Sequence, residues 1–168
     1  MKTEQFLADT LRELMEKEPL ENITVIKLAK ICCINRQTFY YHFRDIYDLL
    51  AWIYLNEKLP CREEKSYEAI LADLFQYLQE NHSLVKNTLS SAGKDLLVEF
   101  FLSQITPRIA ELFSKKKWTN SEKKFQTHYI AFATVHTFLQ WLEVGTEKAE
   151  WIQKEMLLMW NRIERKVS

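Results

Sequence analysis

The sequence is poor in the residues that make tight turns. Among its 168 residues there are only 2 glycines and 3 prolines. Sheet-rich folds reverse the chain many times, and those reversals depend on the backbone angles that glycine and proline supply. The scarcity argues against a sandwich or a barrel. Apolar residues that recur at helical spacing through the rest of the chain predict an all-α fold.

Three kinds of segment are missing as well. The N-terminus, MKTEQFLADT, carries acids and lacks the long apolar core of a signal peptide. Residues 129–142, the most apolar run, are too few and too polar to cross a bilayer. The 3 cysteines are odd in number and two are adjacent, so a disulfide framework is not expected. These observations predict a soluble, cytoplasmic protein without a membrane partner.

Enzyme signatures are also absent from the sequence. It contains no phosphate-cradling glycine loop, no HExxH and no GxSxG. His82, His128 and His136 fall in predicted helices without metal-ligand spacing. The sequence therefore predicts no enzymatic activity, no cofactor and no metal site.

Positive and negative charges balance over the whole chain but are unevenly distributed along it. The formal net charge is 0, which argues against a uniformly basic surface that coats nucleic acid. Between Asn22 and Arg44, however, there is no acidic residue, while Lys27, Lys30 and Arg36 add positive charge. A short basic segment of this kind is the minimum that a DNA-facing surface requires.

Two helix starts follow each other closely inside this basic segment. Thr24 and Asn35 are residue types preferred at the N-cap, and each is flanked by an apolar pair that fits a hydrophobic staple. The two starts are eleven residues apart, which leaves room for one short helix and a turn of three or four residues. This is the spacing of a helix-turn-helix.

Residues 24–50, TVIKLAKICCINRQTFYYHFRDIYDLL, resemble the DNA-binding domain of the TetR family of bacterial regulators. The resemblance covers roughly residues 1–58 and is strongest in TFYYHF and the helix start at Asp45. It implies a three-helix helix-turn-helix domain over 1–60 and a helical-bundle domain for dimerisation and effector binding over 61–168. FYYHF and DIYDLL are also similar to a subgroup that includes activators of dihydroxyacetone-kinase operons, which work with a protein co-activator.

The recognition helix is expected to bury Phe39 and Phe43 and to turn its polar side chains outward. Arg36 matches a guanine edge and Gln37 an adenine edge, whereas Thr24 stands at a helix N-terminus that suits a phosphate. The residues predicted to meet DNA are Thr24, Lys27, Asn35, Arg36, Gln37, Thr38, Tyr40, Tyr41, His42, Arg44 and Tyr47. For both tyrosines a core position is the alternative, and for His42 a structural role at the helix end.

Two positions depart from the family pattern. Cys33 stands where the family usually has a glycine in the turn, and a cysteine with positive φ is strained, so a slightly different turn is expected. Ile46 stands where a lysine is frequent at the start of the fourth helix. A common phosphate anchor is therefore missing, and Arg44 or Tyr47 is the candidate substitute.

The second half of the chain ends in two long predicted helices. The first, residues 121–144 with Gly145 as its stop, is apolar nearly all round, and such a helix is buried on every side. We therefore expect the last two helices to form a homodimer interface, as the resemblance also implies, and a two-fold dimer to read a palindromic operator. The predicted interface residues are Ile130, Phe138, Trp141, Leu142, Ile152, Met156, Met159 and Trp160.

Aromatic residues in the second half would also permit an effector pocket. The candidate liners are Phe75, His82, Phe100, Phe101, Tyr129, Phe132 and His136, with core packing as the alternative for each.

The sequence thus predicts a dimeric repressor that binds double-stranded DNA and is released by a small-molecule effector. The alternatives are an activator that depends on a co-activator, and a helical protein-interaction module without DNA binding. Pro107 is expected to kink or split its helix.

Overall fold

The computed structural model describes residues 3–167, with side chains as far as Arg165. Within that range the chain forms helices and no strand, which confirms the all-α prediction. None of the helices in this range is long and apolar enough to span a membrane. The helices are α1 (Thr3–Met15), α2 (Val25–Ile31), α3 (Arg36–His42), α4 (Ile46–Asn56), α5 (Tyr67–Glu80), α6 (His82–Leu89), α7 (Lys94–Phe113), α8 (Asn120–Val144) and α9 (Ala149–Val167).

The helix starts of the first half lie where the capping residues predict them. Thr24 Oγ1 accepts a hydrogen bond from the Lys27 amide, and the Asn35 side chain accepts one from the Gln37 amide. Asp45 caps α4 in the same way, by accepting from the amide of Asp48. Each cap satisfies an amide that the first turn of a helix leaves without an intrahelical partner. The predicted helix-turn-helix of α2 and α3 is therefore confirmed.

The chain divides into two compact units, and their division corrects the domain prediction. One unit is residues 1–58 with 81–97, and the other is 59–80 with 98–168. The predicted boundary at residue 60 is close to the first break. Residues 81–97, which were assigned to the second domain, belong instead with the helix-turn-helix. The reason is that α6 packs against α1 and buries Leu84, Val85 and Leu89.

Asn87 on α6 bonds the turn between α1 and α2 with its side-chain amide. Its Nδ2 donates to the carbonyl of Met15 at 2.6 Å and to that of Glu18 at 3.2 Å. Its Oδ1 accepts from the Leu20 amide at 2.9 Å. One side chain thus satisfies three backbone groups in the turn that leads into the helix-turn-helix. A buried backbone group without a partner would cost about 1–3 kcal/mol.

A second polar contact ties α6 to α4 in the same unit. The Tyr54 hydroxyl donates to Thr88 Oγ1 at 2.8 Å, and Thr88 in turn donates to the Leu84 carbonyl. Burial raises the pKa of the Tyr54 phenol above its usual range, because the low-dielectric surroundings disfavour the phenolate. Tyr54 therefore remains a neutral donor, and α6 is fixed to both α1 and α4.

Aromatic rings fill the core of the second unit. The rings of Phe75 and Phe101 both pack edge-on against Phe138, with centroids 5.3 and 5.6 Å away. The Tyr67 ring stacks on Trp160 at 4.6 Å, and its hydroxyl shares a hydrogen bond with Thr134. These contacts join α5, α7, α8 and α9 in one core.

A buried carboxylate anchors the segment that leads into α5. Asp73 is fully buried, and Arg62 Nε lies 3.0 Å from its Oδ1. Arg108 on α7 pairs with Oδ2 of the same carboxylate. A buried charge of this kind is tolerated because it is paired and hydrogen-bonded.

The expected break at Pro107 does not end the helix. α7 runs from Lys94 to Phe113 with Pro107 inside it. Ile105 and Ile109, on either side of the proline, are both fully buried. Their packing holds both halves of the helix in place despite the amide hydrogen bond that proline removes. The stop of α8 at Gly145, with φ of 64°, is as predicted.

The turn between α2 and α3 carries Cys33 in the left-handed conformation, with φ of 53°. The Ile34 amide donates to the Ala29 carbonyl and the Cys33 amide to the Lys30 carbonyl, which together form a Schellman motif. Glycine is the usual residue at this position of the motif. The cysteine departs from the family pattern in side chain, but the turn keeps the conformation that glycine would adopt.

Replacing Cys33 by glycine should therefore stabilise the protein. The left-handed conformation costs a residue with a Cβ about 1–2 kcal/mol. Glycine avoids this cost, but it also gives the unfolded chain more conformational freedom, which offsets part of the gain in stability. We expect C33G to raise the free energy of unfolding by about 0.5–1 kcal/mol in urea titrations. C33A is the matched control and should stay near wild type, because alanine keeps the strain. A C33G protein less stable than C33A would contradict this assignment.

Removing the Asn87 amide should destabilise the protein. We expect N87A to lower the free energy of unfolding by about 2–4 kcal/mol, since three hydrogen bonds are lost and backbone groups are left unpaired. Denaturant unfolding measures the change. N22A is the control, because Asn22 is exposed on the neighbouring turn. Equal stability of N87A and N22A would show that the turn does not depend on the amide.

Candidate DNA-binding surface

The recognition helix α3 packs through one face and exposes the other. Phe39 is fully buried, and Phe43 is 5% exposed. Their rings lie 5.9 Å apart, and Phe43 also meets the edge of Trp52 from α4. The inward orientation predicted for both phenylalanines is confirmed. These contacts fix the rotation of α3 about its axis.

The other face of α3 is open to solvent. Arg36, Gln37 and Thr38 are exposed. Tyr40 is 58% exposed and Tyr41 86% exposed, which decides against the core alternative for both tyrosines. The surface therefore offers a guanidinium, an amide and two phenols on a short helix. These are groups that can donate to base edges and phosphates.

Acidic residues from outside the acid-free segment pair with its cations. Lys27 Nζ lies 2.5 Å from Glu18 Oε2, and the Arg44 guanidinium lies 3.4 Å from Asp48 Oδ1. Hydrogen bonds from the backbone and side chain of Arg44 lower the pKa of the Asp48 carboxyl. The predicted phosphate contacts at Lys27 and Arg44 are thus cations that already have an intramolecular partner.

His42 has a carboxylate partner too. Its Nδ1 lies 3.2 Å from Oε1 of Glu4 on α1, and its side chain is 19% exposed. Sequence reasoning missed Glu4, Glu18 and Asn87, because each comes from a different element and no spacing in the sequence connects it to the helix-turn-helix.

The remaining predicted contacts lie around the rim of this surface. Thr24 and Asn35 are exposed, but their side-chain oxygens are occupied as helix caps. Ile46 is buried, so the start of α4 offers no cation at the position where the family often has lysine. Tyr47 is half-buried beside it, whereas the Arg44 side chain is 88% exposed. Arg44 is therefore the better substitute for the missing anchor.

The turn cysteines differ from each other in environment. Cys32 is buried and its Sγ lies 3.3 Å from Thr10 Oγ1, whereas Cys33 is exposed. Burial raises the pKa of the Cys32 thiol, which lowers its thiolate fraction and its reactivity. No cluster of metal-ligating side chains occurs in the part of the chain that the structure describes.

The structure gives the predicted dimer-interface residues several different environments. Most of the predicted residues are packed inside a single chain, because α8 turns its core face toward α5 and α7. The buried ones are Ile130, Phe138, Ile152, Met156 and Trp160. Trp141 and Leu142 are half-buried, and Met159 is exposed. A charge at Phe138 would consequently disrupt the core of one chain and would not test an interface.

A different set of apolar side chains faces solvent on the last two helices. On α8 the exposed rings share one face, where Phe125 stacks on Tyr129 and Phe132 on His136. On α9 the exposed apolar side chains are Trp151, Leu158 and Met159. A groove of about 220 Å³ runs between α8 and α9, and Tyr129 and Met159 both line it. α8 is thus apolar on two faces, and one of them has no cover within the chain.

The effector-pocket candidates are scattered. Phe75, Phe100 and Phe101 are buried in the aromatic core, which is the alternative expected for them. His82 belongs to the unit of the helix-turn-helix. Of the candidates, Tyr129 lines the groove between α8 and α9. These residues do not form one pocket.

A family profile matches the second part of the chain. The profile TetR_C_8, described as a transcriptional regulator C-terminal region, matches residues 65–162, which is more than half of the sequence. The chain belongs to the TetR family of transcriptional regulators. It is therefore a regulator of transcription.

Individual relatives agree with this assignment. The chain is 28% identical over 141 residues to the HTH-type dhaKLM operon transcriptional activator DhaS of Lactococcus lactis, covering 78% of this chain and 74% of that one. A solved structure of a dihydroxyacetone kinase operon activator DhaS shares its fold with a TM-score of 0.68, at 23% identity. The TetR family repressor AlkX from a Dietzia species gives 0.59 at 14% identity. Both alignments cover 98% of this chain and 96% of the other.

Proposed function

We propose that this TetR-family regulator acts as a dimer that binds a palindromic operator through α3. One observation carries the proposal: α3 buries Phe39 and Phe43 while it exposes Arg36, Gln37 and Tyr41. A helix that reads DNA needs one face fixed to its domain and the other free for the major groove. A helix-turn-helix turned into a protein-interaction surface would not need this set of base-reading groups.

Each exposed side chain has a role in the proposed complex. Arg36 donates to a guanine and Gln37 pairs with an adenine, which together specify sequence. The others position the helix through phosphate and sugar contacts and carry little sequence information. These positioning residues are Thr24, Lys27, Asn35, Thr38, Tyr40, Tyr41, His42, Arg44 and Tyr47. Because the protein acts on DNA, we also propose the cytoplasm as its location.

The dimer forms, in this proposal, through the uncovered face of α8 together with α9. Exposed Phe125, Tyr129 and Phe132 give a soluble regulator an apolar patch that a second copy would cover. A two-fold arrangement covers the same patch on both subunits and presents two recognition helices. The operator is then two inverted half-sites separated by one or more helical turns.

Two regulatory outcomes fit this architecture. Our first candidate is a repressor that leaves its operator when a small effector binds the second unit. The second candidate is an activator, which the 28% identity to an operon activator supports. Reporter expression from the selected operator, compared between cells with and without the regulator, distinguishes the two.

The operator comes from a selection of random DNA duplexes on the purified protein, repeated at two salt concentrations. Enrichment of a palindrome is the expected result. Binding that is sensitive to salt but enriches no sequence would contradict sequence-specific recognition by the free protein.

Arg36 tests the recognition helix directly. We expect R36A to weaken operator binding by about 1–3 kcal/mol and to relax the preference at one position of each half-site. Competition binding with operators substituted at single positions measures both effects. K30A is the control, since Lys30 is an exposed cation on α2 and outside the proposed contacts. If both variants show the same small loss at all operators, Arg36 contributes charge without reading a base.

Phe132 tests the dimer. Its ring is 49% exposed, so glutamate should be tolerated by the single chain but not at an apolar subunit contact. We expect F132E to sediment as a monomer and to lose most of its operator affinity. Q79E adds the same charge at an exposed position on α5 and should remain a dimer. A dimeric F132E protein would show that the dimer interface does not include Phe132.

A further inference from the structure

His42 is held from three sides at the end of the recognition helix. Glu4 Oε1 lies 3.2 Å from its Nδ1. The Tyr41 ring meets the imidazole edge-on at 5.1 Å, and the Phe43 ring lies 6.3 Å away. Glu4 stands in the first turn of α1, 38 positions from His42 in sequence, so the fold alone brings this pair together. The contacts restrict the direction in which the imidazole points.

The Glu4 contact gives the two ring nitrogens of His42 different roles. Nδ1 faces the carboxylate, which leaves Nε2 as the nitrogen that can meet another group. When both nitrogens are protonated, an imidazole donates a hydrogen bond from each. The positively charged imidazole would then donate to a carboxylate on one side and to a phosphate on the other. Hydrogen bonds between charged groups are stronger than those between neutral groups.

We propose that Glu4 is a positioning residue for DNA binding, which holds the His42 imidazole so that Nε2 donates to an operator phosphate. The inference rests on the proposed function, because it needs α3 to lie on DNA. Glu4 itself contacts no DNA. The proposal adds a residue from α1 to the binding surface, and it gives a reason for a carboxylate to lie close to a polyanion.

The other two acids near this surface, Glu18 and Asp48, act differently. Lys27 and Arg44 have long side chains that are 42% and 88% exposed, so each cation can leave its acid and reach a phosphate. The His42 side chain is short and 19% exposed, so it cannot swing in the same way. For His42 the acid therefore sets the geometry of the contact and does not compete for it.

The test measures operator affinity of the full-length protein as a function of salt concentration. The variants are E4A, E4Q, H42A and the double variant E4A/H42A. Each lost phosphate contact reduces the slope of log affinity against log salt by about 0.9, so loss in both subunits reduces it by about 1.8. E16A removes an exposed acid in the turn that follows α1 and is the matched control. Thermal unfolding verifies that each variant is folded, and H42Q replaces H42A if the latter is not.

We expect E4A and H42A each to weaken binding about tenfold or more, with the reduced slope. The double variant should bind no more weakly than H42A alone. E4Q should lose less affinity than E4A, because the amide oxygen still accepts from Nδ1 but no longer carries the carboxylate charge. E16A should keep the wild-type slope.

Three results would overturn the proposal. E4A could bind as tightly as wild type or more tightly, which would make Glu4 a mere repulsive charge. The losses in E4A and H42A could be additive, which would make the residues independent. E4A could lose affinity with an unchanged slope, which would make its role structural. In each case wild type still selects an operator, whereas a wild type that selects none contradicts the proposed function itself.

Discussion

The helix-turn-helix depends on a polar contact from a helix far along the chain. The turn between α1 and α2 has backbone groups that no regular element satisfies, and Asn87 of α6 provides three of their partners. Because α1 packs against α2 and α2 packs against α3, this contact is linked to the recognition helix through two packed helix pairs. The Tyr54–Thr88 hydrogen bond fixes the same helix to α4. The unit that contains the helix-turn-helix is therefore a four-helix core completed by a fifth helix.

Local signals predicted much of this architecture. Thr24, Asn35 and Asp45 are each confirmed as a helix cap, and Phe39 and Phe43 as inward residues, because caps and staples involve neighbours in sequence. The position of α6 was not predictable in this way. Its amphipathic pattern says that one face is buried but not against which partner. The three bonds of Asn87 span about 70 positions, for which a single sequence offers no signal.

The dimer prediction shows a related limit. The sequence predicted a helix that is apolar nearly all round, and α8 is apolar on two faces, but periodicity does not say which face meets the chain's own core. The structure assigns Phe138 and Val135 to that core and leaves Phe125 and Phe132 outside. Each set contains phenylalanine, so residue type alone could not separate them. Pro107 does not split its helix for a comparable reason, because tertiary packing around the helix outweighed a local preference.

The pairing of Lys27 and Arg44 with acids has a consequence for how the regulator searches a genome. Non-specific attraction to DNA grows with every unpaired cation on the binding face, and it holds a protein on the vast excess of irrelevant sites. Acids that partly neutralise the face lower this background everywhere, while Arg36, the residue proposed to read a base, is unaffected at the operator. A chain with net charge 0 can thus keep most of its copies free to find one site.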